Sequence, residues 1–312
     1  MAMLLRHFEE LYQLKIVIEQ GSINRAAPIL GISQPALTRG IKRLEQHLGV
    51  RLLYRTAKGV FATAFGEALL THTRLLGSEL EKAAETIEML KSGVRGQIRC
   101  GGTLGSLSWL IPTALGELLD SWPNLRIQVV EGMPAELMAM LRLGELDLAV
   151  CSVTSSNVEA ELKSYSIASD SVLIFARSEH SFFKSAEQTL HDLVQTQNWI
   201  MPRASGQMSK AIRDEFERQR VDSPKRVIET SSYPTLVSLL RAKDRLAVTT
   251  SYTLAKELAD GVIQPLSLEW QAPKARTLAY HRSDITPAPQ ISTLIKLLQK
   301  LARKRKPASN YK

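Results

Sequence analysis

Five polar residues between positions 34 and 43 carry the most specific chemistry in the N-terminal third of the chain: Gln34, Thr38, Arg39, Lys42 and Arg43. Apolar Leu37, Ile41, Leu44 and Leu48 recur at spacings of four, three and four, the buried stripe of one helix, and the five polar residues fall mostly outside it. A helix fits the major groove of B-DNA. There glutamine pairs bidentately with adenine and arginine with guanine, while lysine and threonine hold phosphates. Periodicity alone leaves a second reading open, in which Arg39, Lys42 and Arg43 are a solvated helix face.

No comparable pattern marks catalysis. The six histidines (7, 47, 72, 180, 191 and 281) are scattered, and HExxH, GxSxG, P-loop and GxGxxG motifs are all missing. No His or Cys pair has metal-ligand spacing, so no metal, no cofactor and no catalytic residue is expected. The loop Gly101-Gly102-Thr103-Leu104-Gly105 could cradle a phosphate but lacks the Lys-Ser/Thr ending of a P-loop. Cys100 and Cys151 sit at the ends of two strands that should be neighbours. A reversible disulfide and a pair of inert buried thiols are both open there.

The elements that must position the polar helix are readable around it. Phe8, Leu11, Leu14, Val17 and Ile18 give a first amphipathic helix over residues 4–19, which Gly21 ends. Ser22 caps a short second helix, Ile23–Leu30, whose Ala26 and Ala27 allow close packing. Gly31 permits a tight turn, and Ser33 caps the third helix with Pro35 in its first turn. Helix, glycine-containing turn, helix is a helix-turn-helix pattern. Val50–Thr63, with Arg55 and Lys58 around Gly59, reads as a two-stranded wing able to touch the neighbouring backbone.

Next, Leu69, Thr73, Leu76, Leu80, Ala83, Ile87 and Leu90 form a heptad seam across residues 67–91. A helix lying on its own domain would also explain it. The hinge-like Ser-Gly-Val-Arg-Gly at 92–96 and the two-fold logic of paired recognition helices favour dimerisation.

From residue 97 strands and helices alternate: QIRCGG, a helix over SLSWLIPTALGELLDSWP, LRIQVVEG, PAELMAMLRLG and LDLAVCS. A second series runs from SVLIFARS through a helix near Glu187–Val194, NWIMP, a helix Lys210–Arg220, RVIETS and a helix Thr235–Ala242 to RLAVTT. Strand Ala275–His281 and helix Gln290–Arg303 close it. Short buried strands separated by helices predict a parallel, doubly wound sheet in two α/β lobes with a cleft between them.

Composition bounds the class. The chain has 312 residues, 23% charged and 44% hydrophobic, and no apolar run long enough for a membrane span. MAMLLRHFEE lacks a signal-peptide h-region, and two cysteines cannot staple a secreted fold; a cytoplasmic protein is expected. Charge is uneven. Residues 1–66 hold nine basic against four acidic side chains, and residues 296–312 hold seven basic and none acidic, within a net +9. A basic module ahead of a near-neutral body fits nucleic-acid binding. The tail reads either as a frayed, solvated terminus or as extra phosphate attraction.

The run Gly21–Gly66 resembles the winged helix-turn-helix of the LysR-type transcriptional regulators. The resemblance rests on Ala26-Ala27, Ser33-Gln34-Pro35-Ala36-Leu37-Thr38-Arg39, Ile41, Leu44-Glu45, Leu48-Gly49, Arg55, Thr63 and Gly66. Pro28, Ala62 and Phe65 depart from the family's pattern, as does Lys243-Asp244-Arg245 before RLAV. The body, best matched over Leu125–Val150, resembles that family's effector domain, which has the periplasmic-binding-protein fold.

The resemblance implies an N-terminal all-α winged helix-turn-helix (1–66), a linker dimerisation helix (67–91) and a hinge (92–96). A C-terminal α/β two-lobed periplasmic-binding-protein-like effector domain (97–303) and a basic tail (304–312) follow. It places DNA contacts at Ser33, Gln34, Pro35, Thr38, Arg39, Lys42, Arg55 and Lys58. It places effector contacts at Gly102, Thr103, Ser106, Met133, Pro202, Arg203, Ser205 and Thr249. Free N–H groups near Ser106 suggest an anionic small molecule.

The expected function is ligand-responsive, sequence-specific transcriptional regulation at a pseudo-palindromic promoter site. The expected assembly is a homodimer through the linker helix, built up to a homotetramer, with no enzyme activity and no membrane contact. A solute-binding protein would fit the body alone, but not the basic module in front of it.

Overall fold

The computed structural model describes residues 6–57, 59–92, 96–154, 161–184 and 188–304. Lys58, hinge residues 93–95, residues 4, 5 and 187 of the expected helices, and tail residues 305–312 lie outside them. The chain divides into two units, Met1–Ser92 and Gly93–Lys312.

The first unit contains α1 (Phe8–Gln20), α2 (Ile23–Ile29), α3 (Gln34–Leu48), β1 (Leu53–Thr56), β2 (Gly59–Ala62) and α4 (Ala64–Ser92). Its core is the set of apolar stripes read from the sequence: Leu11, Leu14 and Val17 of α1, Ala26 and Ala27 of α2, and Leu37, Ile41 and Leu44 of α3. The hydroxyls of Ser22 and Ser33 accept the N–H groups of Arg25 and Ala36, so α2 and α3 both start where a cap satisfies an orphan donor. The wing is held from two sides. Glu45 Oε1 accepts Leu52 N–H at 2.8 Å and Leu53 N–H at 3.1 Å, and Val60 N–H bonds Gly21 O at 2.9 Å. Gly59 is required there: its φ is +133°, and a Cβ would stand 2.7 Å from Gly21 O.

The heptad seam of helix α4 is covered by its own unit over only part of its length. Leu70 and Thr73 are buried against their own unit and Arg74 bonds Glu19 of α1 at 3.2 Å. Farther along, Leu76, Leu80 and Ile87 are left uncovered.

In the second unit the elements are β3 (Gln97–Gly102), α5 (Leu104–Leu107), α6 (Leu110–Ser121), β4 (Arg126–Glu131), α7 (Pro134–Arg142), β5 (Leu148–Val153) and β6 (Leu162–Arg177). They continue with α8 (Leu190–Thr196), β7 (Trp199–Met201), α9 (Gln207–Arg218), β8 (Val227–Glu229), α10 (Tyr233–Ala242) and β9 (Leu246–Thr250). The chain ends with α11 (Ala255–Ala259), β10 (Ile263–Pro265), β11 (Lys274–Arg282) and α12 (Pro289–Lys304). Among the described residues the strand order is β4-β3-β5-β11-β6-β9-β7-β8, with β10 beside β6.

The sheet is mixed, which corrects the parallel reading. β3 runs parallel to β4 and β5, and β7 to β8 and β9, but β6 and β11 are antiparallel to each other and to the strands they flank. These two strands do what a doubly wound sheet has no need of: they pass from one lobe to the other. β6 pairs with β11 over Leu162–Ser171 and with β9 over Val172–Phe175. Each lobe buries both sheet faces. In the first, Ile98, Cys100, Leu148 and Val150 pack on α6 and α12, and Ala149, Cys151 and Val153 on α7. In the second, Val172, Ile174 and Val248 face α8 and α9, while Phe175 and Ala247 face α10.

One further correction concerns the expected single helix over 106–123. It is two, α5 and α6, because Pro112 has no N–H to donate and its ring opposes the carbonyl four residues back. No helix among the described residues is long and apolar enough to cross a membrane.

Candidate nucleic-acid interface and interlobe cleft

On α3 the buried stripe turns Ser33, Gln34, Pro35, Arg39 and Lys42 outward, all exposed, with Thr38 half-buried beside them. Arg55 is exposed on β1 of the wing; Lys58 lies outside the described residues. Arg43, read with the same basic face, is differently employed. Its guanidinium bonds the buried Glu10 carboxylate, Nε at 2.9 Å, and fastens α3 to α1. Burial pushes the Glu10 carboxyl up, but a backbone N–H, Arg43 and the nearby His7 outweigh it and hold the group below the usual carboxylate range. The ring of His47, in the last turn of α3, lies 4.5 Å from that of His7.

Between the lobes lies a cavity of about 460 Å³, within the range of small-molecule sites. The carboxyl ends of β3, β4 and β5 and the starts of α5 and α7 supply one wall. The ends of β7 and β9 and the starts of α9 and α10 supply the other. Of the expected contacts, Thr103, Met133, Pro202, Arg203 and Thr249 line it. Three stand elsewhere. Gly102 faces the helix packing, where a Cβ would meet Ile111 at 2.5 Å and Leu107 at 2.8 Å. Ser106 is 1% exposed and gives its hydroxyl to Thr103 O at 2.8 Å and Val150 O at 2.6 Å, so it is spent on backbone. Ser205 is exposed on the loop before α9.

The cavity includes Gly105, from the glycine loop noted in the sequence, and residues that sequence reasoning passed over: Ser152, Gln207, Ser232, Thr250 and Thr253. Ser232 had a signal, since it caps α10 ahead of Pro234. Thr250 and Thr253 had none, because the short helix α11 after them was not foreseen. Two contacts bridge the lobes at Gly206 and Gln207. The Met133 methyl lies 3.0 Å from where a Gly206 Cβ would be, and Thr154 bonds Gln207 O at 3.3 Å. Glu136 accepts Met133 N–H at 2.8 Å, and Arg203 is the cation lining the cavity.

The thiols are not a redox pair. Cys100 is in register with Leu148, so Cys151 stands three residues farther along β5, about 10 Å away, and on the opposite sheet face. A disulfide needs Cα atoms within about 7 Å. Burial pushes both thiols up to about 12, helped by Asp147 near Cys100 and by Cys100 near Cys151. Among the described residues no group of three or more His, Cys, Asp or Glu is placed to hold a metal ion.

Comparison with known proteins accounts for both regions. Residues 8–67 match the family model for bacterial regulatory helix-turn-helix proteins of the lysR family, and residues 91–303 match the LysR substrate binding domain. The HTH-type transcriptional regulator PcaQ of Agrobacterium fabrum is 26% identical over 295 residues, covering 95% of this chain and 94% of that protein. Two solved structures share the fold. Full-length CbnR in complex with its target DNA has TM-score 0.64 and 19% identity, over 94% of this chain and 99% of that one. Full-length LysG from Corynebacterium glutamicum with bound effector Arg has TM-score 0.61 and 21% identity, over 95% and 98%.

Proposed function

This chain belongs to the LysR family of bacterial helix-turn-helix transcriptional regulators, and from that premise we propose how its residues divide the work of a ligand-responsive, sequence-specific DNA-binding protein. Gln34 and Arg39 read base edges in the major groove. Ser33, Pro35, Thr38 and Lys42 set the helix against the phosphates, and the wing, through Arg55 and Lys58, tracks the neighbouring backbone. The observation that carries this is α3 itself: its apolar stripe is fully spent on the core, and its exposed face holds the side chains that pair with bases.

The uncovered Leu76, Leu80 and Ile87 pair α4 with the same helix of a second copy, so that two recognition helices meet a pseudo-palindromic promoter site. Two such dimers assemble as a homotetramer in the cytoplasm. The effector is a small anion held between the lobes, in the field of the first turns of α9 and α10 and near Arg203. The protein works by binding and not by catalysis. Effector binding biases the lobe arrangement, and it can do so only by its differential affinity for the two arrangements.

The test is binding of the full-length chain to the DNA upstream of its own gene, beside a scrambled duplex, across a salt series. A complex with the native duplex that outlasts the scrambled one as salt rises supports the reading. Affinities that are equal and collapse together reduce it to phosphate attraction on that fragment.

A further inference from the structure

Within the proposed effector cleft, on which this step rests, the lining combines two chemistries. One is polar and gathers where Gly105 carries no side chain. A Cβ there would lie 2.9 Å from Thr253 Oγ1, 3.4 Å from Ser152 Oγ and 3.5 Å from Thr250 Oγ1. Three hydroxyls, one from β5 and two from the end of β9 and the turn after it, therefore close round the bare backbone of Gly105 in the cavity wall.

Their donors are not all used. Thr250 and Thr253 share one hydrogen bond at 3.0 Å, and Ser152 shares one with Thr277 at 3.2 Å. Thr103 Oγ1 accepts the Ser152 N–H at 3.0 Å. Thr103, Ser152, Thr250 and Thr253 bring four O–H protons to the cavity; the Thr250–Thr253 pair consumes one and the Ser152–Thr277 pair consumes at most one more, so at least two remain for an acceptor. Thr103, Thr250, Thr253 and Thr277 are each at least nine-tenths buried, where an unspent donor is costly. The cradle asks for an oxygen that accepts several hydrogen bonds. Among the described residues Arg203 is the cation lining the cavity, and it is exposed, so a carboxylate suits the cradle better than a phosphate dianion.

The other part of the lining is soft and apolar. Met133 comes from one lobe, and Met201 and Met208 from the other, with Ile200, Leu236 and Val248 behind them. Among the described residues no aromatic side chain lines the cavity, and the described lining offers no ring face on which a sugar stacks or a quaternary cation rests. Thioethers do make favourable contacts with the rings of others. Glu131 and Glu136 stand on the first lobe's wall, where they repel a second carboxylate. We infer that the cleft selects a monocarboxylate with a flat apolar body, its carboxylate on the hydroxyl cradle over Gly105 and its body among Met133, Met201 and Met208.

Calorimetric titration of the full-length protein with benzoate, benzyl alcohol, isophthalate, glucose and putrescine tests this. Benzoate is expected to bind saturably, with benzyl alcohol and isophthalate at least about tenfold weaker. Gly105→Ala, which fills the cradle, and Thr253→Val, which removes one donor, should each weaken benzoate by about tenfold or more, with Thr253→Ser restoring it. Circular dichroism checks that each variant is folded, and Gly105→Ala stands in should Thr253→Val not fold.

The inference is overturned if benzyl alcohol binds as tightly as benzoate, or if benzoate shows no saturable binding at millimolar concentration. Binding of glucose or putrescine that Gly105→Ala weakens would sink the carboxylate class while keeping the cleft. Benzoate binding indifferent to both Gly105→Ala and Met208→Ala would place the ligand elsewhere, and the cleft reading would fail with it.

Discussion

The Asp170 carboxylate grips the turn that carries Tyr252 across the lobe boundary: one of its oxygens accepts the Tyr252 N–H at 2.9 Å, and both lie 3.0 Å from the Ser251 hydroxyl. Asp170 sits on β6 just before its pairing passes from β11 to β9. Tyr252 follows the cavity residues Thr249 and Thr250 and reaches the first lobe three ways. Its ring stacks on Trp109 at 6.0 Å, its hydroxyl bonds Ala302 O at 3.4 Å, and its carbonyl accepts Ser108 Oγ at 3.1 Å. The wall of the cleft is thus tied to the strand that joins the lobes.

Asp170→Asn keeps the shape but turns one oxygen into a donor facing an N–H. Losing a hydrogen bond to a charged group costs about 1.5–3 kcal/mol, and a domain of this size then melts roughly 3–10 °C lower. Thermal unfolding measures it. Tyr252→Phe, which removes the 3.4 Å bond to Ala302 O and keeps the ring on Trp109, should move the midpoint by no more than about 3 °C.

The arginines of α3 separate by task. Arg39→Ala should weaken specific DNA binding by about 1–3 kcal/mol while leaving the melting temperature alone, because the side chain is exposed. Arg43→Ala should do the reverse, since it strands the buried Glu10 carboxylate. The Arg43 side chain is 66% exposed, so the loss is roughly 1–2 kcal/mol of stability rather than the 3–5 of a fully buried pair. Band shifts on specific and scrambled duplexes, run with thermal melts, decide it. Equal losses for both variants in both assays would refute the division.

What the sequence revealed and what it hid follow from the range of the forces involved. Helix α3 was legible because its stripe, its Ser33 cap and the Gly49 that ends it in the left-handed region are all local. The first half of β6, Leu162–Asp170, was invisible. Lys163, Ser164, Ser166 and Ser169 break its apolar alternation, and its strand character comes from lying along β11, more than a hundred residues away. Arg43 shows the same limit from the other side: its place on the basic face was readable, but its buried partner, 33 residues earlier, was not. The cavity was half legible. Thr103 and Met133 follow strands and precede helices, a position that marks them, while the Gly105–Thr253 approach exists only once two lobes meet.

The cysteines give a prediction with a stoichiometry. With both thiols pushed up to about 12, roughly one in ten thousand is ionised at pH 8, and both side chains are fully buried. A disulfide-exchange reagent should therefore label neither in the native protein and both after denaturation. Treatment with peroxide should leave DNA binding unchanged. Rapid native labelling of one thiol per chain would show that a sheet face opens on that timescale.

Asp244, in the segment that departs from the family's pattern before β9, should govern acid stability at the edge of the second lobe. It accepts Arg177 Nε at 2.8 Å and Ser181 N–H at 3.2 Å. Burial acts to raise its carboxyl, but the Ser181 bonds, Arg177 and the nearby His180 outweigh that and bring it from 3.8 to about 2. A carboxylate lowered by folding contributes stability that is fully present above its unfolded value and is lost as pH falls through its folded one. The contribution should thus be complete at pH 6, shrink from about pH 5, be mostly lost by pH 2 and vanish below it. Denaturant unfolding of the native chain and of Asp244→Asn across that range should show two stabilities that differ at pH 6 and converge toward pH 2. A gap that stays constant as pH falls would mean that Asp244 acts through packing and not through its charge.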